Sequence, residues 1–258
     1  MSTGASWTAL WLWSWIKVQR LAVIGGSGLD RWGKPSRQHE ASTRYGAASA
    51  PIAVFELGAT ELLFLPRHGS DHALAPHLIN YRANIAALAA LEPDAVVAVN
   101  AVGAIAPDHA PGALVLPDQL IDYSYGRDQS FFDGEAGPLA HVEFAEPFSA
   151  ALRQQLLQAA RQAQIDLYDG GCLAVTQGPR LETAAEVGRL GRDGNTLVGM
   201  TSMPEAALAR EVNLPYVCIA VVANAAAGLG ETITQASIEQ VLDAAMNETR
   251  RLLVALTD

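Results

Sequence analysis

The sequence predicts one α/β domain built around a central sheet that helices cover. Three observations predict it. Half of the 258 residues are apolar, enough for one large core. From Leu21 onward, short β-rich runs alternate with stretches of helical pattern. Most of those runs are continuously apolar, as in strands buried on both faces, and no repeat or linker-like stretch divides the chain.

The charge balance narrows the partners. With a formal net charge of -10 and only 17 Lys plus Arg, the chain lacks the basic surface that a nucleic-acid backbone requires. A small anion could still be held by a few placed cations. Cys172 and Cys218 each sit in an apolar run and are expected as buried core thiols, not as a disulfide or a zinc site.

Trp7, Trp11, Trp13 and Trp15 crowd the start of the chain, ahead of Lys17 and Arg20. A secretory signal carries its charge before the apolar core, and a membrane helix needs about 20 apolar residues. The segment fits neither pattern. Residues 1–20 are therefore expected to be an appended stretch outside the fold, with a membrane-surface anchor as the alternative, and the domain to span 21–258. No other long apolar span is present, so the cytoplasm is the expected compartment and no membrane partner is expected.

The first strand, Leu21 to Ile24, runs into Gly25-Gly26-Ser27-Gly28, where backbone N–H groups and a hydroxyl can converge on an anion. Alone it reads equally well as a plain tight turn. Neither a dinucleotide fingerprint nor a nucleophile elbow is completed, because Arg31 and Leu29 stand where glycines would be needed. A second strand, Leu62 to Leu65, ends in Pro66-Arg67-His68-Gly69, a cation beside an imidazole. Arg offers a planar fork to phosphate and His a hydrogen bond or proton, although such a pair is often simply solvated. A third strand, Ala95 to Asn100, is read as ending in Asn100-Ala101-Val102-Gly103.

Ala113 to Leu116 is the fourth strand, followed from about Asp118 to Glu146 by a weakly periodic segment holding Tyr123, Tyr125, Arg127, Phe131, Phe132 and His141. A loop that long is usually functional or shared with a neighbouring subunit. Helices are then signalled by Ser149 ahead of Leu152, Leu156 and Leu157, and by a Thr183-x-x-Glu186 capping box. Pro204 opens another helix, just after the hydroxyls of Thr201 and Ser202, and Ile238, Val241, Leu242, Met246, Leu252 and Leu253 mark the last. Cys172 to Thr176 and Val217 to Ala223 supply the remaining strands. Several strand ends and helix starts thus offer a hydroxyl, a cation or N–H donors, and in open α/β sheets such ends meet at a ligand crevice.

Taken together, the chain resembles the family of trimeric purine nucleoside phosphorylases and methylthioadenosine phosphorylases. The resemblance runs from Leu21 to the last helix and rests on Ile24-Gly25-Gly26-Ser27-Gly28-Leu29, Arg67-His68-Gly69, Asn80-Tyr81-Arg82-Ala83-Asn84, Asn100-Ala101-Val102-Gly103, Gln177-Gly178-Pro179-Arg180 and Met200-Thr201-Ser202-Met203-Pro204-Glu205. It implies an α/β fold with a mixed sheet, a homotrimer with sites at subunit contacts, and phosphorolysis with inorganic phosphate as co-substrate and no metal or organic cofactor. It further implies that phosphate is held by Ser27, Arg67, His68, the backbone N–H of Ala101, and Thr201. The nucleoside falls to Leu181, Glu182, Met200, Asn224 and Ile238, with His141 reaching from a neighbouring subunit. Asn224, Glu182 and His68 are the expected catalytic residues. Two departures stand out: Leu181 replaces the Phe that many relatives place beside the purine, and the Trp-rich start has no counterpart.

The same resemblance suggests the substrate. Relatives that take adenine nucleosides carry carboxylates where this chain has Asn224 and Ala226, whereas Glu182 and Asn224 suit the N1–H, O6 and N7 of a 6-oxopurine. Relatives that cleave inosine and guanosine face the sugar 5′-hydroxyl with a His where Ile238 stands. An isoleucine packs on a methylthio group and leaves a hydroxyl unpaired. The two positions together point to S-methyl-5′-thioinosine. Methylthioadenosine and general inosine/guanosine phosphorylases are the alternatives within the same chemistry, and a purine-binding sensor is the alternative without turnover. A dinucleotide-dependent oxidoreductase is disfavoured by the missing glycine.

Overall fold

The computed structural model describes residues 16–29, 32–134 and 139–257. The tryptophans at 7, 11, 13 and 15 lie outside the described residues. The chain enters the fold earlier than the boundary expected at residue 21. Ile16 and Val18 pack on the core, Gln155 donates to the carbonyl of Ile16, and the N–H groups of Gln19 and Arg20 are held by Asp94.

The first half of the chain supplies β1 (Arg20–Gly25), β2 (Arg37–His39), β3 (Ser42–Thr43), β4 (Gly46–Ala47), β5 (Ile52–Leu57) and β6 (Thr60–Pro66). It continues with α1 (Tyr81–Ala89), β7 (Ala95–Ala104), β8 (Leu114–Leu116) and β9 (Gln119–Asp122). The second half supplies α2 (Ala150–Ala163), β10 (Leu167–Asp169), β11 (Cys172–Val175), α3 (Ala184–Arg192) and β12 (Leu197–Gly199). It ends with α4 (Ser202–Glu211), β13 (Tyr216–Ala225) and α5 (Gln235–Ala255).

Among the described residues, eleven strands form one mixed sheet whose main path is β10-β8-β13-β7-β1-β6-β5-β2. The four central strands β13, β7, β1 and β6 are mutually parallel, with Leu21 opposite both Leu62 and Ala95, and Val97 opposite Val217. Their C-terminal ends therefore share one edge. Each contains a continuous apolar run without polar alternation because both faces are covered, and Leu21, Val23, Val97, Val99, Ile219 and Val221 are wholly buried. Helix α5 packs on β13, α2 packs on α5, and α1 packs on α4. No described helix is long and apolar enough to cross a membrane.

Two expectations are corrected here. The third strand does not end at Asn100; β7 continues to Ala104, because β13 pairs with it through a register shift and β12 pairs with Gly103 and Ala104 in antiparallel fashion. Cys172 is not a core thiol. It is partly exposed at the start of β11 and its thiol donates to Asn195, whereas Cys218 is buried as expected. The caps expected at Ser149 and Thr183 are both made, the second with the reciprocal Glu186 bond, and α4 turns regularly helical only from Pro204, after the extended Met203.

Candidate active site

A cavity of about 280 Å³ opens at the shared C-terminal edge of the parallel strands. Ser27, Arg67, His68, Ala101 and Thr201 line it, as do Leu181, Glu182, Met200, Asn224 and Ile238. His141 does not. It lies exposed in the stretch before α2, away from the cavity of its own chain. Backbone must approach closely where β1 enters the site: a Cβ on Gly26 would stand 2.4 Å from the Val99 carbonyl oxygen and 2.7 Å from Nη1 of Arg67. Only glycine fits there.

Arg67 is wholly buried, and so is Glu205, in the first turn of α4. Arg67 Nε donates to Glu205 Oε1 at 2.5 Å and Nη2 to Oε2 at 3.0 Å, while Tyr216 donates its hydroxyl to the same carboxylate at 3.0 Å. Nη2 also donates to Asn100 Oδ1 at 2.9 Å and Nη1 to the Val99 carbonyl at 3.0 Å. Burial opposes the charge, but the field and hydrogen bonds of Glu205 hold Arg67 protonated above its ordinary range. The expected role of its fork needs correction. Both arms of the fork grip Glu205 and Asn100, so of the five N–H donors of a guanidinium only one, on Nη1, remains for the cavity. Removing two charges from water is tolerable only when each is paired this completely.

Asn100 carries this order to the next loop. Because Arg67 can only donate, the Asn100 carbonyl must face it, and the amide then donates to Thr201 Oγ1 at 3.0 Å and Ser202 Oγ at 2.9 Å. Thr201 thus accepts from below and keeps its own proton to donate. On the other side, His68 Nδ1 lies 2.7 Å from the Leu74 carbonyl, which can only accept, so Nδ1 bears hydrogen and Nε2 is the ring's other polar atom. The His68 ring stacks on that of His72 at 4.8 Å, and His72 Nε2 is 3.3 Å from Ser27 Oγ. Hydroxyls, imidazoles and one guanidinium N–H converge, which suits a small oxyanion.

Asn224 follows the register shift near the end of β13, and its amide donates to the Ala225 carbonyl at 2.7 Å. That leaves its carbonyl oxygen and a second N–H. Glu182 immediately precedes the Thr183 cap of α3 and accepts the Thr176 hydroxyl at 2.6 Å, leaving its second oxygen. Leu181 sits at the rim, 46% exposed, without an aromatic ring in its place. Ile238 is partly buried on the core and still lines the cavity, joined there by Ile233. These flank the α5 cap at Thr234 in the positions of a hydrophobic staple. That spacing was a readable signal for Ile233; His72 and the pairing role of Glu205 had none.

A second recess of about 270 Å³ lies behind Glu182, among Tyr123, Tyr125, Arg180, Glu186 and Arg189. It contains none of the oxyanion-side residues. Among the described residues no group of three or more His, Cys, Asp or Glu is placed to hold a metal ion.

Comparison with known proteins finds a matching family, similar sequences and similar structures. The profile of the Phosphorylase superfamily matches residues 20–258. A probable S-methyl-5′-thioinosine phosphorylase of Xanthomonas campestris is 47% identical over 237 residues, which cover 90% of this chain and 95% of that protein. The 6-oxopurine nucleoside phosphorylase of Pyrococcus furiosus is 39% identical over 245 residues, covering 92% of each. Among solved structures, the methylthioadenosine phosphorylase of Schistosoma mansoni in complex with adenine superposes with a TM-score of 0.88 at 29% identity, covering 92% of this chain and 90% of that one.

Proposed function

The chain belongs to the phosphorylase superfamily, and from that premise we propose that it splits S-methyl-5′-thioinosine with inorganic phosphate into hypoxanthine and 5-methylthioribose 1-phosphate. One observation carries the choice of nucleoside: the same cavity is lined by Asn224 and Glu182 and by the apolar pair Ile233 and Ile238. The names of the similar bacterial proteins support the same substrate.

In the reaction the bond from C1′ to N9 breaks, its electron pair leaves with the purine, and a phosphate oxygen bonds C1′. The proton that hydrogen phosphate gives up is matched by one that the departing base takes from solvent. Positive charge grows on the sugar and negative charge on the base, so rate comes from groups that favour both. Ser27, His68, the N–H of Ala101, Thr201 and the remaining N–H of Arg67 would hold phosphate against C1′. The free oxygen of Glu182 would accept N1–H, and Asn224 would donate to O6 while its carbonyl meets a protonated N7. Met200 and Leu181 would pack on the nucleoside. Phosphate is the sole co-substrate in this scheme, which needs neither a metal nor an organic cofactor. We read the enzyme as a cytoplasmic homotrimer in which His141 completes a neighbour's site; the exposed Leu139 and Val142 beside it support a contact there.

Phosphorolysis of inosine, guanosine, methylthioadenosine and methylthioinosine, side by side, tests the reading. Methylthioinosine should lead by about tenfold or more in kcat/KM, the worth of one mispaired buried polar group. Equal efficiency on inosine would return the enzyme to the general inosine/guanosine type, and equal efficiency on methylthioadenosine would overturn the role of Asn224. No phosphate-dependent release of base from any of the four would leave only a binding protein. Sedimentation of a fully active monomer would end the trimer reading.

A further inference from the structure

Arg127 lies in the irregular stretch after β9 and lines no part of the active-site cavity. Its guanidinium nevertheless reaches the backbone of both walls. Nη1 donates to the carbonyls of Met200 at 2.8 Å and Met203 at 2.5 Å, and Nη2 to those of Gln177 at 2.9 Å and Thr176 at 3.2 Å. The cation lies over the Tyr81 ring, 5.3 Å from its centre. Among the described residues no carboxylate pairs with it, and its Nε–H is buried without a partner. An arginine placed to bind an acid would not be spent on four peptide carbonyls.

Those carbonyls belong to two separate segments at strand ends, where no regular ladder supplies donors. Thr176 and Gln177 begin the loop that leads to Glu182, and Thr176 also holds Glu182 through its hydroxyl. Met200 and Met203 bracket Thr201, whose hydroxyl belongs to the oxyanion side. The stretch that presents Arg127 is itself fastened to its own chain: Arg82 pairs with Asp128, Arg44 pairs with Asp133, and the N–H of Phe131 donates to Glu211. A planar fork with fixed donor angles sets the spacing of the two walls as a flexible ammonium could not.

We propose that Arg127 is a positioning residue that locks the base-side loop at 176–182 to the phosphate-side turn at 200–203, and so controls how well both substrates are seated. The proposal rests on the phosphorylase reading of the cavity. It is tested with the full chain by comparing Arg127→Met and Arg127→Lys with the parent for KM of methylthioinosine, KM of phosphate, kcat and melting temperature. Arg127→Met should raise both KM values by about tenfold or more and lower kcat by up to about 100-fold, the scale of a displacement near 1 Å. Arg127→Lys, with three donors and no plane, should fall between. A folded Arg127→Met that keeps both KM values within about twofold overturns the proposal, as does a loss confined to melting temperature; full rescue by lysine overturns the fork geometry. Should the methionine variant not fold, the lysine variant and Arg127→Gln carry the same test. If the parent releases no base, the phosphorylase reading is what has failed. Calorimetric binding of inorganic phosphate to parent and variants then decides the role of Arg127: a weaker affinity in the variants supports it and an equal affinity overturns it.

Discussion

Asn224 and Glu205 show how much one side chain decides here. The Asn224 amide spends one hydrogen on the Ala225 carbonyl, and in the proposed function its other N–H meets the base in the cavity that Asn224 lines. Against an exocyclic amine that donor is mispaired, at a cost of about 1 to 3 kcal/mol. Asn224→Asp replaces the donor with an acceptor. The ratio of kcat/KM for methylthioinosine over methylthioadenosine should fall by at least about tenfold, and an unchanged ratio would remove Asn224 from the base pocket. Glu205 acts at a distance from substrate. Glu205→Gln keeps the shape but leaves the Arg67 charge buried and uncompensated, which should cost about 3 to 5 kcal/mol of stability, read as a lower denaturation midpoint. The same variant should weaken phosphate binding, since Arg67 orders Asn100 and through it Thr201.

At the scale of the element, two of the proposed nucleoside-binding residues lie at helix starts. Glu182 directly precedes the N-cap of α3, and Ile238 is the fourth residue after the N-cap of α5. The caps satisfy orphan N–H groups and, in doing so, set where the neighbouring side chains point. Thr183→Ala removes the cap bond to Glu186 and should cost about 1 kcal/mol of stability. Because Glu182 is the adjacent residue, KM for methylthioinosine should rise while KM for phosphate stays unchanged; a variant that melts lower but keeps both constants would separate the cap from the site. Elements also differ in how legible they are. The continuous apolar runs of β1, β6, β7, β8, β11 and β13 identify themselves. Helix α1 does not, because Tyr81, Ala83, Asn84, Ile85, Ala87 and Leu88 are all buried and no polar face sets a 3.6-residue rhythm. Strands β9, β10 and β12 have three or four residues each, too few for a period, and are defined by their ladders: β9 to β11, β10 to β8, and β12 to β11 and β7.

At the scale of the whole molecule, groups packed around the Arg67–Glu205 pair should make stability sensitive to base. Burial pushes the Cys218 thiol up from its ordinary 9.0 to about 12, and burial together with the nearby Glu205 raises the Tyr216 phenol well above its usual range. Both are neutral in the folded protein and ionise at lower pH once unfolded. Their stabilising contribution is therefore complete below about pH 9 and is lost as pH rises toward about 12. Melting temperature should decline over that window, and Cys218→Ala should flatten the first part of the decline; an identical slope in the variant would place the sensitivity elsewhere. Strand β13 lies between β7 and β8 in the sheet, and both Tyr216 and Cys218 are buried there.

The sequence by itself determined which residues would gather at one edge. Parallel strands share a C-terminal edge, so motifs following β1 and β6 and lying at the ends of β7 and β13 must meet once the sheet forms. Of the eleven site residues that the family resemblance implied, ten line one cavity there. Tertiary structure alone decided what those residues can do. The partner of Arg67 lies 138 residues away in sequence, and its carboxylate claims the fork that the isolated Arg-His motif offered to phosphate. The hydrogen on His68 is assigned by a loop carbonyl, and the walls of the site are joined by Arg127 through backbone oxygens, which every residue carries and no side-chain pattern announces. Local pattern records burial and turn chemistry because those act over a few residues. Hydrogen-bond partners are chosen by which groups the packed sheet leaves facing one another, and that choice exists only after folding.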